Sequence, residues 1–336
     1  MWSGILDKSF GRIFCRIYNS IFDALWVLDN ITGIAGKKKE GGIMIRNPIH
    51  RVAAVHDLSG FGRASLTVVI PILSSMEIQV CPLPTAVLST HTSGFDDYCF
   101  KDLTAFMEES VSHWIKLGIC FDAVYSGFLG SSKQMDIVSG FISSLKKRSG
   151  PLVVIDPVLG DNGKTYGPIT SDMVVRMRSY VKDADVITPN ITEAALLLDE
   201  PYSDKIDEET VRSWLPRLAD MGPSIVVVTS VPLNGSKDRT SVLAYDRGDG
   251  RLWKVACDYI PTHYPGTGDA FTSVLVGSLL KGDSLPIALD RAVLFSTLAI
   301  RASFGHKNPA REGVMLERVL DTLKGPVVMS SYELLE

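Results

Sequence analysis

Cysteine is scarce and scattered: five residues in 336, at Cys15, Cys81, Cys99, Cys120 and Cys257. None forms a C-x-x-C pair or a zinc spacing, so the pattern offers neither a disulfide framework nor a structural metal and reads as reduced thiols in a cytoplasmic protein. In that compartment the sequons at Asn30, Asn190 and Asn234 carry no meaning. No apolar run reaches the length of a bilayer, so stable membrane insertion is not expected. Charge of one sign is lacking too. Lys and Arg number 34 against 38 Asp and Glu, a net −4 with the signs interspersed, and no basic stripe suggests a nucleic-acid partner. Internal repeats, low-complexity tracts and linkers are also absent, which argues for one domain.

What is present is a large apolar fraction, 46% of the chain, ample for a buried core. Residues 1–43 stand apart. Ile13, Ile17, Ile21, Leu25 and Leu28 fall at helical spacing beside Lys8, Arg12 and Arg16, and Lys37-Lys38-Lys39 follows. One reading is an interfacial amphipathic helix with a basic tether. The preferred reading is a leader foreign to the native protein. Glu40-Gly41-Gly42-Ile43-Met44 can be encoded by a string containing AAGGAGG, a purine-rich ribosome-binding sequence just before a methionine codon. On either reading a single domain is expected over 44–336.

Within it, short β-rich runs alternate with longer helical patterns. Val52–His56, Gln79–Leu83, Ala123–Tyr125, Leu152–Ile155, Val186–Thr188 and Ile225–Thr229 read as strands, two of them continuously apolar as strands covered on both faces should be. Helical stretches are expected near 65–76, 100–117, 131–147, 169–182 and 207–220. Ser241–Tyr245 and Leu252–Val255 read as a hairpin, and Asp269 to Leu323 as mostly helical. The fold class is α/β, a mostly parallel sheet with helices on both faces. Such sheets bind ligands beyond the carboxyl ends of their strands, where His56-Asp57, Asp156-Pro157, Thr188-Pro189-Asn190 and Thr229-Ser230 all fall.

Two phosphate motifs fail. Gly163-Lys164-Thr165 resembles the end of a P-loop, but Val158 occupies the place of its first glycine. Gly60-Phe61-Gly62 and Gly266-Thr267-Gly268 both lack the third glycine of a dinucleotide fingerprint. The informative segment is Pro265-Gly266-Thr267-Gly268-Asp269-Ala270-Phe271, opening an apolar helix. Glycines at a helix start let bare N–H groups converge on an anion, and Asp269 in the first turn can take a proton from an alcohol beside it. That combination is what phosphoryl transfer to a hydroxyl requires. A merely capped helix is the plainer account of the same residues.

Gly266-Thr267-Gly268-Asp269 resembles the carboxy-terminal signature of the ribokinase-like superfamily, and Thr188-Pro189-Asn190-Ile191-Thr192-Glu193 its T-P-N-x-x-E segment. Asp156–Asp161 is similar to the D-P-V-x-G-D segment of vitamin B6 kinases, and Thr85–Phe95 to their pocket-lining stretch around S-N-H-T. The resemblance runs in order from residue 52 to about 310. It implies a B6 vitamer kinase acting on the 5′-hydroxymethyl group of pyridoxamine, pyridoxine or pyridoxal, with ATP as co-substrate, Mg²⁺ and K⁺, as a homodimer. It makes Asp269 the base and Gly266, Thr267 and Gly268 the anion hole. Asp156 and Glu193 hold Mg²⁺ through water, with Asp161, Asn190, Thr229 and Ser230 at the nucleotide. Thr188 and Thr229 flank the monovalent cation, and Asp57, Ser59, His91, Thr92 and Phe128 line the substrate pocket.

Each of these residues has a plain structural account as a turn former, helix cap, strand end or core side chain. Related hydroxymethylpyrimidine kinases typically carry Cys where Asp269 stands, which favours B6 chemistry over that alternative. A non-catalytic binding protein would normally have lost the base or the anion hole. Asp57 stands where many relatives have Ser. Because a carboxylate only accepts hydrogen bonds, it leads one to expect a protonated partner and a preference for pyridoxamine or pyridoxine over pyridoxal.

Overall fold

The chain divides at Asn47/Pro48 into two units. The computed structural model describes residues 48–336, apart from Asp204, Asn234, Gly235, Lys237, 326–330 and Glu336. The leader expected over 1–43 lies outside the described residues.

Alternation along the first strand, β1 (Arg51–Phe61), organises everything else: Val52 and Ala54 point to one face, Ala53 and Val55 to the other, and all four are fully buried. β1 lies between β2 (Gln79–Thr90) and β4 (Ala123–Ser126), both parallel to it. The parallel set continues through β5 (Leu152–Ile155), β8 (Val186–Ile187) and β9 (Ile225–Pro232). These are the six strands expected from the sequence. The hairpin of β10 (Arg239–Asp246) and β11 (Arg251–Asp258) joins β9 antiparallel, as expected.

Four further strands were not anticipated. β12 (Tyr332–Leu335) pairs with β11, and β6 (Gly160–Asp161) with β7 (Lys164–Thr165) forms a separate two-stranded ribbon. β3 (Phe100–Asp102) pairs antiparallel with β2, where a helix was expected to begin. The Asp102 carboxylate accepts from the Thr104 backbone N–H at 2.9 Å, which delays the helix to Thr104.

Helices α1 (Leu66–Ser75), α7 (Thr267–Leu280) and α8 (Leu285–Ser303) cover the Val52/Ala54 face. The other face takes α2 (Thr104–Lys116), α3 (Ser132–Lys146), α4 (Ser171–Tyr180), α5 (Ile191–Leu198) and α6 (Glu208–Asp220). β2 neighbours β1 on one side while β4 and its successors build out on the other. The crevice of a doubly wound sheet therefore opens where β1 meets β4.

Two local features shape that crevice. β1 and β2 run well past the expected strand ends, and their register slips between His56 and Leu58, so that Thr85 and Ala86 oppose the single residue Asp57. A bulge of this kind re-aims a side chain beside a site. The second is Gln134, fully buried at the start of α3. Its Oε1 accepts from Gly130 N–H at 2.8 Å, and its Nε2 lies 3.0 Å from Thr85 O and 3.1 Å from Asp102 Oδ2. Thr85 Oγ1 in turn donates to Phe128 O at 3.0 Å. One amide thus fixes the bulge and the loop after β4 together. Gln134→Leu leaves those groups unpaired and should destabilise the protein by roughly 1–3 kcal/mol in urea denaturation. A midpoint equal to that of the unmutated protein would contradict this network.

Candidate active site

At the carboxyl edge of the parallel strands lies a cavity of about 240 Å³. Of the residues expected at the site, all but one line it: Asp57, His91, Thr92 and Phe128 at one end, and Asp156, Asp161, Thr188, Asn190, Glu193, Thr229 and Ser230 along the wall. Gly266 to Asp269 close it. The exception is Ser59, which is fully buried behind Asp57 and donates to Asp57 Oδ2 at 3.1 Å.

Gly266 caps α7 with φ 79°, and a Cβ there would lie 2.3 Å from Arg63 O. Only glycine satisfies both the left-handed backbone and the close approach. The first intrahelical bond runs from Ala270 N–H to Gly266 O at 3.0 Å, so the N–H groups before it face the cavity end of the helix dipole. Asp269, its side chain 14% exposed, is oriented by the Ser65 N–H, which donates to Oδ2 at 2.8 Å.

Sequence reasoning missed Ser65. It adopts φ 54°, strained for a residue with a side chain, while its hydroxyl donates to Asp57 Oδ1. A serine at the head of α1 reads as an ordinary cap, and its backbone angle has no sequence signal. Asp57 lines the cavity as expected, but both of its oxygens already accept from serine hydroxyls, Ser65 on one and Ser59 on the other. Its surroundings therefore differ from those of a carboxylate awaiting a protonated ligand.

Asn190 and Glu193 form a capping box at the start of α5. Asn190 Oδ1 accepts from Glu193 N–H at 3.0 Å, and Glu193 Oε2 accepts from Asn190 N–H at 2.9 Å. Each also reaches across to the segment after β5. Glu193 Oε1 accepts from Leu159 N–H at 3.0 Å, and Asn190 Nδ2 donates to Gly160 O at 2.8 Å. The cap and the cavity wall are one structure. Asp161, on the β6–β7 ribbon, faces His263, whose Nδ1 lies 3.5 Å from its Oδ2. Thr188 Oγ1 accepts from Thr272 at 3.0 Å, and Ser230 after Thr229 takes φ 62°.

His91 is anchored structurally. Its Nε2 donates to Arg311 O at 2.7 Å and its Nδ1 accepts from Ser93 N–H at 3.2 Å. Burial lowers its pKa, opposed by the Arg311 carbonyl. The ring also presses on Gly62, where a Cβ would come within 2.6 Å.

Electrostatically the site is a cluster of acids short of cations. Burial pushes Asp269 up to about 7, with Asp57 nearby adding to the rise. Glu193 is raised by burial to about 7 despite its backbone donors. Asp156 is driven well above the usual carboxylate range by burial first, then by the charges of Glu193 and Asp269. Hard oxygen donors held partly protonated are a receptacle for a hard cation. Among the described residues no three acidic, His or Cys side chains converge at ligating distance.

Comparison with known proteins decides the family. Residues 73–312 match the phosphomethylpyrimidine kinase family. The chain belongs to that family. A Bacteroides thetaiotaomicron protein assigned to the phosphomethylpyrimidine kinases is 53% identical, with TM-score 0.83 over 87% of this chain and 100% of the other. A second crystal form of it, 54% identical, contains pyridoxal. Pyridoxal kinase from Lactobacillus plantarum is 32% identical, with TM-score 0.74 over 82% of this chain and 96% of that one. Pyridoxal kinase from Arabidopsis thaliana is 30% identical over 203 residues, 60% of each chain. The match thus spans less than two thirds of that plant enzyme. The ribokinase-like fold expected from the motifs is the one observed.

The raised carboxyls set a pH dependence. Between about pH 4 and 7 the folded chain keeps a proton on Asp269 that the unfolded chain has released, so this group's contribution falls as pH rises through that window. Asp269→Asn, permanently neutral, should melt above the unmutated protein at pH 8 and by a clearly smaller margin at pH 5. Each kcal/mol regained is worth ~2–4 °C in a chain of this size. Equal offsets at both pH values would mean that Asp269 is not raised.

Proposed function

We propose that the protein transfers the γ-phosphoryl group of ATP to the 5′-hydroxymethyl group of a vitamin B6 vitamer, pyridoxamine, pyridoxine or pyridoxal. The observation that carries this reading is Asp269 at the cavity wall in the first turn of α7, beside the bare N–H groups that follow Gly266. A similar protein holding pyridoxal supports the choice of acceptor over hydroxymethylpyrimidine.

The chemistry follows from the residues. The vitamer ring occupies the end of the cavity lined by Asp57, His91, Thr92 and Phe128, and its hydroxymethyl group turns toward Asp269. Asp269 accepts the hydroxyl proton as the oxygen attacks phosphorus, and the N–H groups of Thr267, Gly268 and Asp269 hold the charge on the transferring group. Asp161, Asn190, Thr229 and Ser230 line the wall along which the nucleotide lies. Asp156 and Glu193 would hold Mg²⁺ through water, and Thr188 and Thr229 would flank K⁺. The ions neutralise phosphate charge when bound.

We place the protein in the cytoplasm, in keeping with the free thiols of Cys81, Cys99, Cys120 and Cys257. Among the described residues no helix is long and apolar enough to cross a membrane. We also assign it a homodimer, supported by Leu58, Phe61, Val87 and Phe100, all exposed on or beside the β1–β2–β3 edge. Residues 1–43 we treat as a leader outside the kinase domain.

The test is ATP consumption with each vitamer and with hydroxymethylpyrimidine. B6 vitamers should be phosphorylated, and Asp269→Asn should lower turnover on the order of 10²–10⁴-fold while retaining nucleotide binding. Turnover with hydroxymethylpyrimidine alone, or a fully active Asp269→Asn, would sink the reading.

A further inference from the structure

His56 is the buried group that this chemistry leaves unused. It lies on β1 next to Asp57, is 0% exposed, and neither ring nitrogen has a hydrogen-bond partner. An unpartnered buried polar group costs free energy, and where one persists it asks for an explanation. Nδ1 lies 3.8 Å from Asp269 Oδ1. The ring stands edge-on to Tyr125 of β4, centroids 4.4 Å apart.

The neighbouring strand is shaped around this ring. Val55 pairs with Ser126 where β1 meets β4, so the residues that follow, His56 and Gly127, face each other at the mouth of the crevice. A Cβ on Gly127 would lie 2.3 Å from His56 Nδ1 and 2.4 Å from Cε1. Gly127 is thus the one residue type at that position that lets the imidazole lie beside the carboxylate.

We propose that His56 is the positioning residue of the base: as neutral imidazole it donates Nδ1–H to Asp269 Oδ1 in the substrate complex, while Ser65 N–H holds Oδ2. This rests on Asp269 being the base. One donor on one oxygen leaves the carboxylate free to swing about χ2, whereas a donor on each fixes its plane. Each oxygen keeps a further lone pair for the substrate hydroxyl. Closing from 3.8 Å to hydrogen-bond length needs a shift of less than about 1 Å, of the kind that unliganded sites make on binding substrate. Burial holds the His56 pKa down to about 3, so the ring stays uncharged and passes no proton. The other ionisable groups that Asp269 acts on or feels are Asp57, Asp156, Tyr125 and Tyr166. None of them supplies a cation, so a neutral donor is what this face of the carboxylate lacks.

The experiment compares His56→Leu, which removes the donor, with His56→Asn, whose amide nitrogen sits near the place of Nδ1. His56→Leu should lower kcat on the order of 10–100-fold with KM for vitamer and ATP little changed, since misplacing a catalytic group by an ångström has effects of that size. His56→Asn should restore most of kcat. In the unmutated protein, ¹⁵N NMR of the His56 ring should show the Nδ1–H tautomer. Unchanged kcat in His56→Leu, no recovery in His56→Asn at equal thermal stability, or an Nε2–H tautomer would each overturn the proposal. If His56→Leu does not fold, the tautomer decides. If the unmutated protein phosphorylates no vitamer, the functional reading fails and the tautomer still decides the hydrogen bond.

Discussion

Four carboxyl side chains, Asp57, Asp156, Glu193 and Asp269, share one buried edge of a parallel sheet without a cationic side chain among the cavity's lining residues other than titratable histidines. Buried charge of one sign is costly, and proteins resolve it by protonation, by hydrogen bonds or by a bound cation. Here the first two are visible. Glu193 is met by backbone N–H groups, Asp57 by two serine hydroxyls, and Asp269 by a single N–H. The residual cost remains as raised pKa values, which a bound cation would relieve.

The scaffold around the acids is correspondingly exacting. Gly266 is pressed on Arg63 O, Ser65 sits at positive φ, and Asp57 faces a bulge in β2. These departures gather at the junction of β1, α1 and α7. Behind it the two faces of β1 are packed into separate cores. Strain gathered beside a cavity is the pattern expected of a functional site.

Much of this was legible in the sequence because it depends on local pattern. The six parallel strands announce themselves as short apolar runs, and the Gly266–Asp269 segment carries its chemistry in its spacing. The plain account of Asn190 and Glu193 as helix caps is the arrangement observed, since a capping box is a four-residue motif. What stayed hidden depends on distant partners. β3 replaces the first turn of a helix because β2 offers it an edge. Ser59 is buried with its hydroxyl donated to Asp57, a pairing set by the packing around β1. Ser65 matters through its backbone angle, and His56 through a glycine on another strand. None of these can be read from neighbours in the chain.

Buried carboxyls that are partly protonated in the empty site would become the seat of the nucleotide's cation. Calorimetry tests it most directly, by titrating a non-hydrolysable ATP analogue with Mg²⁺ at pH 7 in buffers of different ionisation enthalpy. Ligands of a metal ion must give up their protons, so binding should release protons to the buffer. Release should diminish as pH rises past the raised pKa of Glu193, about 7. Tight binding with no proton release at pH 7 would contradict the account.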